Sequence, residues 1–209
     1  MSDAPAGQLT AQQAREIALY PDRWSSYFRT IEGKPFRLDE RPYLEEVYRH
    51  FSATEECKND TTKIIVLKCS RKVEKTETIC NILLYALLNI PYFNAVYTAP
   101  RQPQVSRFVE ERFNGAMMSS VNGGCLLKQR LKTSVSHQTF DVGAKQLNHF
   151  YAYSNWGDAH GLLGIAADMC CIDEYQDSDP DVLPMLMEML AQSDYKWVVV
   201  SGTAREQGS

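Results

Sequence analysis

A chain of 209 residues in which 44% of the side chains are hydrophobic and 23% charged has material for one sizeable core, and is neither wholly disordered nor fibrous. Its 22 basic against 26 acidic residues give a formal charge of −4. That excludes the basic excess of a dedicated nucleic-acid-binding domain and leaves local clusters, Arg101, Arg107 and Arg112 and then Lys128, Arg130 and Lys132, each equally readable as a solvated face.

Residues 1–9 read as disordered, and lack the basic and apolar regions of a signal peptide. Thr10 offers an N-cap for a short amphipathic helix with Ala14, Ile17 and Ala18 on one face, ended by Pro21. The aromatics Trp24, Tyr27, Phe28 and Phe36 then alternate with charges. Arg41 to Phe51 reads as a second helix with Leu44, Val47, Tyr48 and Phe51 inward, and Ser52 to Thr62 as a polar loop. Residues 1–62 are thus expected to form an N-terminal helical extension packing on a core of residues 63–209.

Ile64-Ile65-Val66-Leu67 is a continuous apolar run whose shortness favours a strand buried on both faces, as in a parallel sheet. After the loop Lys68 to Lys75, the stretch Thr76 to Asn89 is helical in length and apolar almost all round, which places it deep. Ala95 to Ala99 and Pro103 to Met118 make a second strand–helix unit, with Val105, Phe108, Val109, Phe113 and Met117 at helical spacing. Ser136 to Val142 and Gln146 to Ser154 alternate as a hairpin around Gly143. Met169 to Ile172 is a short apolar strand ending in Asp173-Glu174. Asp181 to Gln192 is a helix with Val182, Met185, Leu186, Met189 and Leu190 inward, and Trp197 to Val200 is a last strand running into Ser201-Gly202-Thr203. Cys57, Cys69, Cys80, Cys125, Cys170 and Cys171 form no CxxC pair and no zinc spacing, and read as reduced core residues of a cytosolic protein. No stretch approaches the ~20 apolar residues that cross a bilayer, so no membrane partner is expected. Strands alternating with helices imply a mostly parallel sheet with right-handed crossovers, whose ligands bind at the carboxyl ends of the strands.

Three loops fall at such ends. The first, Cys69-Ser70-Arg71-Lys72-Val73-Glu74-Lys75-Thr76, lies between a strand and a helix. A phosphate-binding loop there needs inward N–H groups, a lysine for the β- and γ-phosphates and a hydroxyl for Mg²⁺. Lys75 and Thr76 supply the last two. Against the pattern GxxxxGK[ST] both glycines are missing, with Cys69 at the first and Glu74 at the second. A glutamate there sets a carboxylate beside a polyanion, at about 3–4 kcal/mol per unit of like charge for a separation of ~4–6 Å and an effective dielectric of ~20. Taken alone, the loop reads equally as a solvated charged turn. In the second loop Asp173 would hold Mg²⁺ through water and Glu174 would polarise the attacking water, although Asp-Glu pairs also end strands at ordinary surfaces. In the third, Ser201-Gly202-Thr203, a hydroxyl would sense the γ-phosphate. The stretch between Lys75 and Glu174 leaves room for a further βα unit and a hairpin before the acidic strand returns beside the first, the additional-strand arrangement of P-loop nucleoside triphosphatases.

On these residues the chain resembles, over nearly its whole length, the large terminase subunit of tailed bacteriophages. Ser70-Arg71-Lys72-Val73-Glu74-Lys75-Thr76 is similar to that family's deviant phosphate loop, and Thr98-Ala99-Pro100-Arg101-Gln102 to the segment after its second strand. Gly164-Ile165-Ala166-Ala167-Asp168 through Ile172-Asp173-Glu174-Tyr175-Gln176-Asp177 resembles the run into its acidic motif, and Ser201-Gly202-Thr203 its coupling motif.

The resemblance implies an α/β P-loop NTPase of the additional-strand (ASCE) type, with a mostly parallel central sheet flanked by helices and a β-hairpin insertion. It implies ATP hydrolysis coupled to translocation of double-stranded viral DNA into a procapsid, with ATP and Mg²⁺ as cofactors. Ser70, Arg71, Lys72, Val73, Glu74, Lys75 and Thr76 would bind nucleotide, Thr76 and Asp173 the metal, and Glu174 would be the general base. Arg71 would be the in-cis arginine on the γ-phosphate, worth about 10³–10⁵-fold in rate in such enzymes. Ser201, Gly202 and Thr203 would couple hydrolysis to DNA. The same resemblance implies a homo-oligomeric ring when assembled and a monomer in isolation, a portal protein and a small terminase subunit as partners, and the cytoplasm of an infected bacterium as the location. A second arginine, supplied in trans, would be one of Arg101, Arg107 and Arg112. The family's ribonuclease-H-like nuclease domain is absent from these 209 residues, so no nuclease activity is expected. Glu74 keeps a second reading open, a catalytically impaired P-loop module acting in binding or assembly, and a helicase-like ATPase is a third.

Overall fold

The structure, a computed structural model, describes residues 9–58, 61–69, 74–119, 130–143, 145–155, 162 and 164–203. Helix α1 (Ala11–Leu19) starts from a capping box: the Thr10 hydroxyl accepts from the Gln13 N–H and the Gln13 side chain accepts from the Thr10 N–H. The helix ends before Pro21 as expected, since the residue preceding a proline is pushed into extended backbone. After the single extended residue Tyr20, Pro21 opens α2 (Pro21–Phe28), because a missing N–H does no harm at the first helical position. A two-stranded ribbon, β1 (Thr30–Ile31) and β2 (Lys34–Pro35), follows. The expected helix over 41–51 is shorter than its pattern: Pro42–Leu44 is a 3-10 turn, and α3 covers Glu45–Arg49. Leu44, Tyr48 and Phe51 are buried as the periodicity predicts.

The central sheet comprises β3 (Lys63–Cys69), β4 (Asn94–Ala99), β5 (Arg130–Thr133), β6 (His137–Asp141), β7 (Leu147–Ser154), β8 (Met169–Ile172) and β9 (Trp197–Thr203), in the order β3-β9-β8-β4-β7-β6-β5. From β3 to β7 the neighbours run parallel, and β6 and β5 add antiparallel at the far edge. Helix α4 (Lys75–Asn89) packs on one face. Beside it runs a helical stretch that passes without a break through α5 (Gln102–Arg107), a π-type turn (Phe108–Phe113) and α6 (Asn114–Met118). Helix α7 (Val182–Met189) covers the other face. Side chains alternate accordingly: Ala95, Tyr97, Cys171 and Val199 enter the first core, and Val96, Cys170, Val198 and Val200 the second. Burial pushes the Cys80 thiol up to about 12 and holds those of Cys170 and Cys171 well above the ordinary thiol value, so these cysteines are inert apolar filling.

Three sequence expectations change. The acidic strand β8 does not return beside β3, because β9 enters between them. Strand β3 is not buried on both faces: Ile64 is 40% and Val66 63% exposed, since the second core takes residues from β9 but none from β3, the edge strand of the described sheet. Cys69 is only half-buried. The hairpin turns at Gly143, which sits at a φ of 108°. Its second strand, β7, also pairs parallel with β4, so the hairpin is built into the main sheet. Asn148 on β7 locks this junction, donating to the Leu87 and Ile90 carbonyls at 2.9 and 2.7 Å at the end of α4 and accepting from the Phe93 N–H at 2.8 Å.

Candidate active site

Strand register brings the three loops together. Cys69 lies opposite Thr203 across β3–β9, and Ile172 opposite Val200 across β8–β9, so Asp173 follows its strand out beside Ser201. Lys75, the first residue of α4, is buried and commits its ammonium protons to the Cys69 carbonyl at 3.2 Å, the Gly202 carbonyl at 3.0 Å and the Thr203 hydroxyl at 2.8 Å. The Asp173 carboxylate collects four donors. Oδ2 accepts from Thr76 Oγ1 at 3.2 Å and the Tyr97 hydroxyl at 3.1 Å, and Oδ1 accepts from Ser201 Oγ and, at 3.1 Å, the Glu174 N–H. Burial, with Asp173 adding to it, holds the Tyr97 hydroxyl well above its ordinary pKa, so Tyr97 stays a donor.

Glu174 sits in the left-handed region at φ 51°, ψ 47°, a conformation that a non-glycine residue holds only under local constraint. Its carboxylate accepts from the Gln176 amide and lies 3.5 Å from the Thr203 hydroxyl. Lys75, Thr76, Asp173, Glu174, Ser201, Gly202 and Thr203 are therefore one cluster. Ser70, Arg71, Lys72 and Val73, together with Lys128 and Cys125, lie outside the described residues.

Glu74 departs from expectation in an informative way. Its backbone is left-handed, at φ 49° and ψ 26°, the conformation for which the loop pattern reserves glycine. Its carboxylate is held in a two-toothed ion pair by Arg41, through Nε and, at 2.8 Å, Nη2. This bond raises the pKa of Arg41, whose guanidinium also lies 5.2 Å from the Phe36 ring centre and donates to the Arg37 carbonyl at 2.9 Å. The like-charge objection to Glu74 is thus met by a cation from the N-terminal segment. Arg41 and Tyr97 had no signal in the sequence, since each acts across a long separation in the chain, and Gln176 lies in a quoted segment but its reach to Thr203 had none.

Of the arginines considered for a role in trans, Arg101, Arg107 and Arg112 are all exposed, and Arg112 is in addition paired with Glu77 in the first turn of α4. Glu77 also binds Arg29, which is 2% exposed and donates to Asn81 at 2.5 Å. Arg130 belongs to β5 and donates to Asn114 at 2.7 Å, so it is structural rather than part of an open basic loop.

The donors fit a hard divalent cation. Thr76 Oγ1 and Asp173 Oδ2 are 3.2 Å apart, near the ~3 Å edge of an octahedral oxygen shell with Mg–O of about 2.0–2.1 Å. Among the described residues no three His, Cys, Asp or Glu side chains converge, so an ion here would draw the rest of its shell from water and phosphate, as Mg²⁺ commonly does. Also among the described residues, no helix is long and apolar enough to cross a membrane.

No protein-family model matches the chain, and no curated protein matches it. Among solved structures it is similar to the large terminase of bacteriophage HK97, with a TM-score of 0.65 and 17% identity over 92% of this chain and 38% of that one. It is also similar to the ATPase domain of the Thermus phage P74-26 large terminase, with a TM-score of 0.58 and 16% identity over 84% of this chain and 67% of that one. A third likeness is to the large terminase of a thermophilic bacteriophage in complex with ATP-gamma-S, with a TM-score of 0.56 and 14% identity over 80% of this chain and 38% of that one. The likeness is one of fold: this chain has the additional-strand P-loop fold of large terminase ATPase domains, and spans 38% of the HK97 protein.

Proposed function

We propose that the chain is the ATP-hydrolysing domain of a motor that translocates double-stranded viral DNA into a procapsid. The observation that carries this reading is the convergence of Lys75, Thr76, Asp173, Glu174 and Thr203 at the carboxyl ends of neighbouring parallel strands. The fold shared with large terminases supports it, one of them solved with ATP-gamma-S. On this reading the chain works with a portal protein and a small terminase subunit, as a ring of copies, in the cytoplasm of an infected bacterium.

The contacts support the following roles. The Lys75 ammonium is held by two carbonyls and a hydroxyl, neutral acceptors that a charged phosphate oxygen outcompetes. Glu174 Oε2 takes the proton of the attacking water. The Thr203 hydroxyl, bonded to Lys75 and close to Glu174, senses both groups and passes the change into β9. Thr76 and Asp173 would hold Mg²⁺, which when bound neutralises charge on the β- and γ-phosphoryl oxygens. Arg71 is assigned the in-cis arginine role by the resemblance.

The test is a steady-state ATPase assay on the purified protein. Glu174→Gln keeps the side-chain volume but removes the base, and is expected to lower kcat about 10²–10⁴-fold while nucleotide affinity is retained. A Glu174→Gln rate equal to that of the wild type would sink the reading. The silent-module alternative rested on Glu74, and the Arg41 pair weakens its ground. Calorimetric titration with ATP and Mg²⁺ separates the two, since a silent module binds only after Glu74→Gly.

A further inference from the structure

We propose that Gln176 is a positioning residue for hydrolysis: its side-chain amide ties the Glu174 carboxylate to the backbone of Gly202-Thr203, so that the base and the end of β9 move together. This rests on the reading of Glu174 as the general base. Gln176 occupies the 3-10 turn Tyr175–Asp177 that directly follows Glu174, closed by the Asp177 N–H on the Glu174 carbonyl at 2.9 Å. From there both ends of one amide are used. The nitrogen donates to Glu174 Oε2, and the oxygen accepts the Thr203 N–H at 3.1 Å. A backbone N–H is met only by the amide oxygen and a carboxylate only by the amide nitrogen, so the chemistry fixes which way the amide faces.

Two further observations bear on the tie. Of the donors around the Glu174 carboxylate among the described residues, the Thr203 hydroxyl stands off at 3.5 Å, which leaves the Gln176 amide as the close one. Gly202 has no positive φ to explain it, yet a Cβ there would lie 2.9 Å from Gln176 Oε1. A Cβ at 202 would therefore displace the flexible end of Gln176, the very amide that makes the tie. A residue read from sequence as part of a coupling motif thus lies against a side chain that follows the acidic motif.

The experiment compares wild type, Gln176→Ala, Gly202→Ala and the double variant in steady-state ATPase kinetics, kcat and KM read separately, with amide hydrogen exchange at Thr203 as a readout independent of activity. Gln176→Ala is expected to lower kcat roughly 10–100-fold with KM within about 2-fold, because the base is misplaced while Lys75 and Thr76 are untouched. Thr203 exchange is expected to speed up at least about ten-fold. Gly202→Ala is expected to lower kcat, and the double variant to be no worse than Gln176→Ala, because the clash needs both partners. The proposal is overturned by a Gln176→Ala kcat within 2-fold of wild type, by a KM that rises as far as kcat falls, by unchanged Thr203 exchange, or by losses that multiply in the double variant. A wild type without ATPase activity would instead remove the base itself, whatever Thr203 does.

Discussion

At the scale of single residues, Glu74 shows how a side chain that breaks a pattern is accommodated. The backbone adopts the left-handed conformation that glycine would take freely, at a penalty of about 1–2 kcal/mol for a residue with a Cβ. The carboxylate is 27% exposed and its partner Arg41 18%, so the pair is shielded enough for its two-toothed geometry to count. Arg41→Ala leaves the carboxylate uncompensated beside the proposed nucleotide site. The expected outcome is ATP affinity weakened at least about ten-fold by calorimetry, recovered when Glu74→Gly is added. An Arg41→Ala protein that binds ATP as the wild type does would show that Glu74 is compensated elsewhere.

At the scale of elements, the sheet is held by polar locks that periodicity does not reveal. Asn148 is fully buried and satisfies two carbonyls at the end of α4 and one N–H ahead of β4. Asn148→Ala orphans all three groups and is expected to cost about 2–4 kcal/mol, read as a lower urea midpoint with an unchanged slope. On the antiparallel edge, Lys132 Nζ stands 3.0 Å from His137 Nδ1, and His137 Nε2 stands 3.1 Å from His149 Nδ1. Burial, then Lys132, lowers the pKa of both histidines below the ordinary 6.5. The unfolded chain therefore binds these protons first, and the stability from the neutral pair is full above about pH 6.5 and falls as pH drops through it. Thermal midpoints measured between pH 7.5 and 5.5 are expected to decline, and His149→Gln to flatten the decline.

The same scale shows what was legible in the sequence. Thr10 with Gln13, the all-apolar helix 76–89 and the strand 169–172 ahead of two acids were readable because cap, period and run are local signals. Strand β5 was not, since Arg130-Leu131-Lys132-Thr133 is exposed and becomes a strand only by pairing with β6. The exposure of Ile64 and Val66 depends on how far α7 reaches, which no local pattern encodes. That Lys75, Thr76, Asp173 and Glu174 would converge was readable by type and spacing, but Arg41 and Tyr97 meet that cluster, and Gln176 meets Thr203, only because the chain returns to it.

At the scale of the whole molecule, the N-terminal segment grips the helix that carries Lys75 and Thr76. Trp24 packs edge-on against Tyr85 of α4, and Arg29 binds Glu77 and Asn81 on the same helix, with Asn81 donating in turn to Tyr48 at 2.8 Å. Glu77→Ala strands the Arg29 charge in the interior, where it already has one nitrogen without a partner. A loss of about 3–5 kcal/mol is expected by chemical denaturation, together with weaker ATP binding as the first turn of α4 loosens. Retained stability in Glu77→Ala would show that Arg29 finds another acceptor. The bridge from Arg41 to Glu74 belongs to the same grip, and it has an evolutionary corollary. A lineage with glycine at 74 would have no carboxylate for position 41 to hold, which would free that position to drift. Among descendants of this gene the two sites should covary, and an acidic phosphate loop should serve as a marker for an arginine upstream.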